Sequence, residues 1–339
     1  MEMKYKLCSM ILMLSCCLTV NALHHESQQE RLDSIIMYDY RSKKKCEFLY
    51  NVQGQVEQIL YYRWADGGWS ITNRREYLYD GQGNDTLRLI FHRKDGLWLL
   101  EEQRYSSYDV YGKRLQERTV SYVDSKDPTQ SRWDFLYDEY GRRVSATKYR
   151  EEKGAWRKAM TVQDEYDAEG NYVKEVYEDM NTNYSSRGCT IMRYDENKRI
   201  TIQIDSVYNS LSGREWRRRE FSYNNQGLSM VKETLKTIDH DEAQQSLDEF
   251  LFDPQSNLLQ TERYRYDRGA WQHVCSVSYV YDLNRDASSI RGSEFLLDVL
   301  GIEINEQIHH KLLRKFNVEM GEEGDVYETR CYYSEVLPV

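Results

Sequence analysis

Proline is almost missing from this chain, with three in 339 residues. Proline lacks a backbone donor and is excluded from the interior of paired strands, so its scarcity fits extended, ladder-forming structure and argues against a Pro-rich linker. After the first 20 residues no apolar run is long enough to cross a bilayer as a helix. The chain also lacks a Cys-x-x-Cys spacing, a His-Glu-x-x-His motif, a Gly-x-Ser-x-Gly elbow, a phosphate loop and a dinucleotide fingerprint. Zinc, thiol-exchange, serine-hydrolase and nucleotide chemistries are thus left without their usual signatures. The histidines are His24, His25, His92, His240, His273, His309 and His310, and the adjacent pairs would point to opposite faces of a strand. No metal set and no cofactor is expected.

Surplus positive charge is lacking as well. The formal net charge is −10, and an acidic surface disfavours a phosphate backbone, so no nucleic-acid partner is expected. The run Arg214, Arg217, Arg218 and Arg219 reads as a solvated strand face flanked by Glu215 and Glu220. Carboxylates such as Asp164, Glu165, Asp167 and Glu169 are abundant, but their spacing identifies no glycosidase pair. The Asp-rich turn from Asp80 to Asp85 could hold calcium, although turn closure already accounts for the aspartates.

What the chain does have is tyrosine, 29 copies of it, set on a clock. Tyr50, Tyr79, Tyr108, Tyr137, Tyr166, Tyr194, Tyr223, Phe252 and Tyr281 follow one another at 29 residues, with a single step of 28 between Tyr166 and Tyr194. Such a period marks an array of small supersecondary units. Each anchor usually opens a Tyr-Asp-x-x-Gly run, as in Tyr137-Asp138-Glu139-Tyr140-Gly141. Asp at the first position and Gly at the fourth are the residues of a type I turn closed by a left-handed bulge. Gly54, Gly83, Gly112, Gly141, Gly170 and Gly227 keep that pattern, whereas Lys198, Ser256 and Arg285 occupy the slot without glycine, so looser or differently shaped turns are expected there.

Aromatics two residues before an anchor (Phe48, Tyr77, Phe135, Phe221, Phe250 and Tyr279) share its strand face. Beyond the turn an apolar residue recurs at Val56, Leu87, Leu115, Val144, Val173, Ile200, Val231 and Leu258, where the returning strand would point inward. Midway between anchors lies a second turn: Asp66-Gly67-Gly68-Trp69, Asp95-Gly96-Leu97-Trp98, Lys153-Gly154-Ala155-Trp156 and Arg268-Gly269-Ala270-Trp271. These are strong two-residue hairpin signals. The expected fold is all-β: an elongated, twisted and curled antiparallel meander of about nine hairpin repeats, with its aromatic ladder inside. At ~4.8 Å per strand, roughly eighteen strands span on the order of 85 Å, a width at which sheets curl or split.

The ends depart from the clock. Lys4 and Lys6, the apolar stretch Leu7 to Val20 and Val20-Asn21-Ala22 read as a signal peptide over residues 1–22. Loss of Glu2, Lys4 and Lys6 removes +1 and leaves −11. Met13-Leu14-Ser15-Cys16 is a poor lipid-attachment match, so lipoprotein and soluble forms both stay open. Of seven cysteines, Cys8, Cys16 and Cys17 leave with the leader, and Cys46, Cys189, Cys275 and Cys331 read as free thiols in distant repeats. Residues 23–285 form the array, opened by a hairpin of Arg31–Tyr40 against Lys45–Tyr50, and 286–339 an atypical capping segment. A helix is expected from Ser293 to Leu300, then strands over Ile308–Val318 and Tyr327–Ser334.

Tyr137-Asp138-Glu139-Tyr140-Gly141-Arg142-Arg143-Val144 resembles the YD repeat of bacterial RHS proteins, and the Trp-containing period resembles exported repeat proteins of the Bacteroidetes type. The resemblance covers about residues 31 to 285. It implies wound β-hairpins and roles in surface display, carbohydrate contact or cell interaction. Nothing in the chain resembles the toxin or self-cleaving core of RHS proteins. Nor does it continue into a secretion domain past Tyr332-Tyr333-Ser334-Glu335, so surface attachment by that route is not expected. The expected function is a non-catalytic exported binding or surface-interaction protein in the periplasm, at the outer surface or outside the cell, contacting glycan or another envelope protein. A carbohydrate-active enzyme and a purely structural envelope component are the alternatives. Trp69, Trp98, Trp156 and Trp271 are the candidate ligand contacts, each nineteen residues after an anchor, while Trp133 and Trp216 fall off that register. Each of the four can be read as core packing or as a stacking surface.

Overall fold

Paired tyrosine ladders and two kinds of tight turn wind the chain into one antiparallel sheet. A computed structural model describes residues 30–39, 42–123, 127–180, 186–210, 213–225, 227–237, 244–255, 257–286, 290–291, 311–320 and 325–335. The expected signal peptide, the helix at Ser293–Leu300, and His24, His25, His240, His309 and His310 lie outside the described residues.

The first strands are β1 (Glu30–Asp39), β2 (Ser42–Tyr50), β3 (Val56–Ala65), β4 (Gly68–Tyr79), β5 (Asp85–Lys94), β6 (Leu97–Tyr108) and β7 (Arg114–Ser121). Then come β8 (Thr129–Tyr137), β9 (Arg143–Glu152), β10 (Ala155–Tyr166), β11 (Tyr172–Asp179), β12 (Ser186–Tyr194), β13 (Ile200–Asn209) and β14 (Gly213–Asn224). The last are β15 (Gly227–Thr237), β16 (Gln244–Phe252), β17 (Leu258–Asp267), β18 (Ala270–Asp286), β19 (Ile290–Arg291), β20 (Lys311–Met320) and β21 (Asp325–Glu335).

From β1 to β18 every strand pairs antiparallel with its sequence neighbour, as the meander expectation requires. The expected opening hairpin forms, with Ile35 opposite Cys46. The ladder then continues from β18 to β20, to β21, and from β21 onto the free side of β1, where Ile35 also faces Cys331. β1 is therefore paired on both sides, which covers the edges an open meander would leave bare.

The Tyr-Asp turns have the bonding that the sequence dictates. In the fourth, Asp138 N–H donates to Arg142 O at 2.9 Å and Gly141 N–H to Asp138 O at 2.9 Å, with Gly141 at φ 76°. The Asp138 side chain also accepts from the backbone N–H groups of Tyr140 and Arg142. Lys198 overturns the looser turn expected for it. It adopts φ 60° and makes the same closing bonds, Asp195 N–H to Arg199 O and Lys198 N–H to Asp195 O. The side-chain cage of Asp195 holds a non-glycine residue in the left-handed region. Gly227 departs the other way: at φ 133° it pairs with Asn224, and its N–H donates to the Asn224 side chain at 3.1 Å. Ser256 is outside the described residues, yet Asp253 and Asn257 close that turn in the standard way. No turn forms at the ninth anchor; β18 runs on through Arg285, with a register shift between Asp282 and Asp286 against β20. The midway turns are two-residue hairpins with both central residues at positive φ, such as Asp66 at 51° and Gly67 at 79°.

Anchor hydroxyls tie each repeat to the one before. Tyr137 Oη donates to Arg114 O at 2.8 Å, Tyr166 to Arg143 O at 2.9 Å and Tyr223 to Ile200 O at 2.7 Å, each spanning 23 residues. The same bond recurs from Tyr79, Tyr108, Tyr194 and Tyr281. The face carrying the anchors is the shielded one. Leu32, Ile35, Cys46, Phe48, Val56, Ile59, Tyr77 and Cys331 form its apolar core where β21, β1, β2, β3 and β4 meet. The recurring apolar position beyond the turn is not one face, however. Val56 and Leu258 are buried, whereas Leu115 is a bulge residue and exposed. The four described cysteines are free, Cys46 and Cys331 buried.

Candidate ligand-binding surface

The position of the tryptophans depends on a one-residue defect. Trp69 lies ten residues before Tyr79 on β4, a spacing that would put both on one face of an unbroken strand. The register shifts at Thr72: Asn73 faces Tyr61, but Ile71 faces Tyr62. This bulge sends Trp69 to the face opposite the anchors. The same shift occurs at Glu101 on β6, Ala159 on β10 and Val274 on β18, so Trp98, Trp156 and Trp271 follow Trp69. The bulges are bonded into the sheet, with Thr72 Oγ1 donating to Tyr61 O at 3.2 Å and Tyr122 N–H donating to Glu101 O at 2.8 Å. All four candidate rings therefore share a face that carries no anchor tyrosine. Trp133 stands on the anchor face and Trp216 on the tryptophan face.

None of the four rings is buried. Trp156 and Trp271 are 36% and 37% exposed, and Trp69 and Trp98 are partly exposed. Three of them close a rung whose other members sequence reasoning missed. On the first, Lys45 Nζ lies 4.4 Å from the Tyr62 ring centre and 5.4 Å from that of Trp69, and pairs with Glu47 at 2.6 Å. On the second, Arg74 sits 4.5 Å from Phe91 and 4.7 Å from Trp98, with Glu76 at 2.9 Å. On the third, Arg132 sits 4.7 Å from Tyr149 and 5.2 Å from Trp156, with Asp134 at 2.9 Å. The cation is attracted to the electron-rich ring faces and the neighbouring carboxylate balances its charge. Tyr62 Oη donates to Glu47 at 2.6 Å; partial burial and that carboxylate push its pKa up to about 12. Trp271 has a different neighbour, Tyr266, edge-on at 5.2 Å. Trp64, also on this face, meets Trp69 edge-on at 5.2 Å. The missed residues do leave a sequence signal. Lys45, Arg74 and Arg132 stand five residues before an anchor, and Glu47, Glu76 and Asp134 three before.

The anchor face carries carboxylates as well. Arg143 is bonded by both Nε and Nη2 to Asp164 and reaches Glu175 at 3.1 Å, while Tyr172 Oη contacts Asp164 at 3.1 Å and Glu175 at 3.0 Å. Burial first, then the two carboxylates, push the Tyr172 phenol far above its ordinary value. Thr190 and Gln203 donate to the buried Asp205. The arginine run is divided between faces rather than being one solvated strip. Arg217 and Arg219 turn to Glu233 on the anchor face, and Arg218 to Glu220 on the other, because alternate residues of β14 face opposite ways. Asp80 and Asp85 are spent on turn bonds and on Arg88 and Tyr108. Among the described residues no group of three His, Cys, Asp or Glu could hold a metal ion, and no helix is long and apolar enough to cross a membrane.

No protein-family model matches the chain, and no curated protein matches it. Among solved structures it has a distant likeness to a porin-like protein from Bacteroides uniformis, at 9% identity and a TM-score of 0.36, covering 63% of this chain and 93% of that one. It has a more distant likeness to two structures of TcdB2-TccC3, at 9% and 10% identity and TM-scores of 0.17 and 0.18. Those alignments cover 87% of this chain and 19% of theirs, so the chain spans about a fifth of their length.

Proposed function

We propose that this chain is a non-catalytic exported binding protein of the cell envelope, and that its tryptophan face holds an extended glycan. The observation that carries this reading is the placement of Trp69, Trp98, Trp156 and Trp271 on one face, partly exposed, opposite the anchor tyrosines. Trp69 and Trp98 stand on alternate strands, ~10 Å apart at two strand spacings, and Trp156 is four strands further on. A polymer crossing the strands meets a ring repeatedly, and weak stacking contacts add through multivalency.

The bonding of the acidic residues favours binding over turnover. Asp164 and Glu175 are tied to Arg143 and Tyr172 on the shielded face, away from the tryptophans. A glycan array, followed by a search for released product from each hit, tests the reading. Binding without product supports it. A turned-over glycan, or a blank array, overturns it.

A further inference from the structure

The third repeat breaks the rung pattern in the middle of the tryptophan row. At the positions of Lys45, Arg74 and Arg132 it has Gln103; at those of Glu47, Glu76 and Asp134 it has Tyr105. Where the two preceding repeats have Leu60 and Leu89, it has Arg118. A neutral cation–carboxylate pair is lost and one positive charge is gained.

Arg118 does not merely replace what was lost. On the ladder Tyr105 faces Arg118, Arg118 faces Arg132, and Arg132 faces Tyr149, with Lys158 next in line. Two guanidinium groups directly opposite across neighbouring strands are destabilising unless something neutralises them. Arg132 has Asp134, which Gln116 also holds at 2.9 Å. Arg118 has an amide: its Nε and Nη2 both donate to Gln130 Oε1, at 3.2 and 2.5 Å. On its own side β6 presents Gln103 and Tyr105, and β7 presents Gln116 and Val120, none of them a carboxylate. Glu101, at the β6 bulge, lies 3.0 Å from His92 Nδ1. Arg118 is exposed, with N–H donors to spare beyond the two that Gln130 takes.

The surroundings suit a sugar. Tyr105 and Tyr122 are about two-fifths exposed, and both hydroxyls donate to Gln103 Oε1, at 2.9 and 3.1 Å, which fixes them side by side. Trp98 on β6 and Trp156 on β10 lie on the same face, at the ends of those strands next to the midway turns, with Trp156 also 5.2 Å from Arg132.

We propose that Arg118, with Arg132 beside it, binds the carboxylate of an acidic glycan, a uronate-containing chain whose neighbouring rings lie on Tyr105, Trp98 and Trp156. The fork of a guanidinium matches a carboxylate in geometry and charge, and the bound anion removes the repulsion between Arg118 and Arg132. This deepens the glycan-binding reading and rests on it.

Calorimetric titration of the full chain with polygalacturonate, with its fully methyl-esterified form and with dextran sulfate tests the proposal. Polygalacturonate is expected to bind at least about tenfold tighter than the neutral ester and to weaken with salt, as an exposed charge contact must. Arg118→Leu, the residue type of the preceding repeats, is expected to reduce polygalacturonate to the level of the ester, leave the ester unchanged, and leave the melting temperature equal or higher. Arg118→Gln provides the same test if the leucine variant folds poorly. Equal binding of acid and ester, with no effect of Arg118→Leu, overturns the acidic subsite and leaves glycan binding standing. Binding of dextran sulfate alone overturns the carboxylate assignment. No binding of any polymer removes both readings.

Discussion

Trp69 and Tyr79 lie ten residues apart on one strand and point to opposite faces of the sheet, because a bulge at Thr72 reverses the alternation between them. The repetition of this defect gives the molecule two unlike surfaces. The anchor face holds the repeats together through hydroxyl bonds and packed aromatics, and the tryptophan face carries partly exposed rings. Substitutions on the two faces should accordingly affect different measurements.

Tyr137→Phe removes the bond from Tyr137 Oη to Arg114 O and leaves the ring in place. It is expected to cost about 1 kcal/mol in chemical denaturation, the usual net worth of such a bond, without altering glycan affinity. A change in affinity with unchanged stability would contradict the division of roles.

The turns permit a graded test of backbone strain. Gly141, at φ 76°, also lies against the Lys113 side chain where a Cβ would have to go, whereas Gly154, at φ 82°, has open space around it. Both alanine variants should destabilise, Gly154→Ala by about 1 kcal/mol and Gly141→Ala by more unless Lys113 swings away. Lys198→Gly relieves the φ 60° strain and should stabilise by up to about 1 kcal/mol. Equilibrium urea unfolding of the three variants checks the order.

Acid should loosen the turns. Bonds from Asn84, Asn171 and Arg199 hold the carboxyls of Asp80, Asp167 and Asp195 below their usual range. A depressed folded pKa gives stability that is present above the unfolded value of about 4 and lost as pH falls through the folded value. Asn51 makes the same turn with an amide, accepting from Gln53 and Gln55 N–H. The triple variant Asp80→Asn/Asp167→Asn/Asp195→Asn should therefore keep its turns and lose less melting temperature than the parent between pH 6 and about 3. Equal losses would mean that these carboxylates do not drive the acid response.

Burial pushes the Cys46 thiol up to about 12, against the weaker pull of Arg75 and Lys44. Thiolate is the reactive form, so Cys46 should resist an aromatic disulfide reagent at pH 8 in the native protein and react on unfolding. Peptide mapping after a short pulse of reagent reads this out. Rapid native labelling at Cys46 would place it outside the core.

The period and both turn types were legible because Asp, Gly and Tyr each do a specific job at a fixed place in the repeat. Lys198 departs from the expectation because the Asp195 cage, rather than the residue type at this slot, decides the turn. The face of the tryptophans was not legible. Thr72, Glu101, Ala159 and Val274 share no side-chain chemistry, so nothing in the sequence marks a bulge there. The pairing of β21 with β1 was hidden for a related reason: strands at opposite ends of the chain leave no local trace of their contact. The cation rungs, in contrast, could be read by following the clock at the positions of Lys45, Arg74 and Arg132.

Titration of Trp98→Ala/Trp156→Ala and of Tyr137→Phe/Tyr166→Phe against the same glycan tests the central claim most directly, with affinity and unfolding free energy measured on each. The account predicts that the tryptophan pair loses about tenfold or more in affinity with a modest loss of stability, while the tyrosine pair loses about 2 kcal/mol of stability with its affinity intact. The reverse pattern, stable binding by the tryptophan variant and lost binding by the folded tyrosine variant, would contradict it.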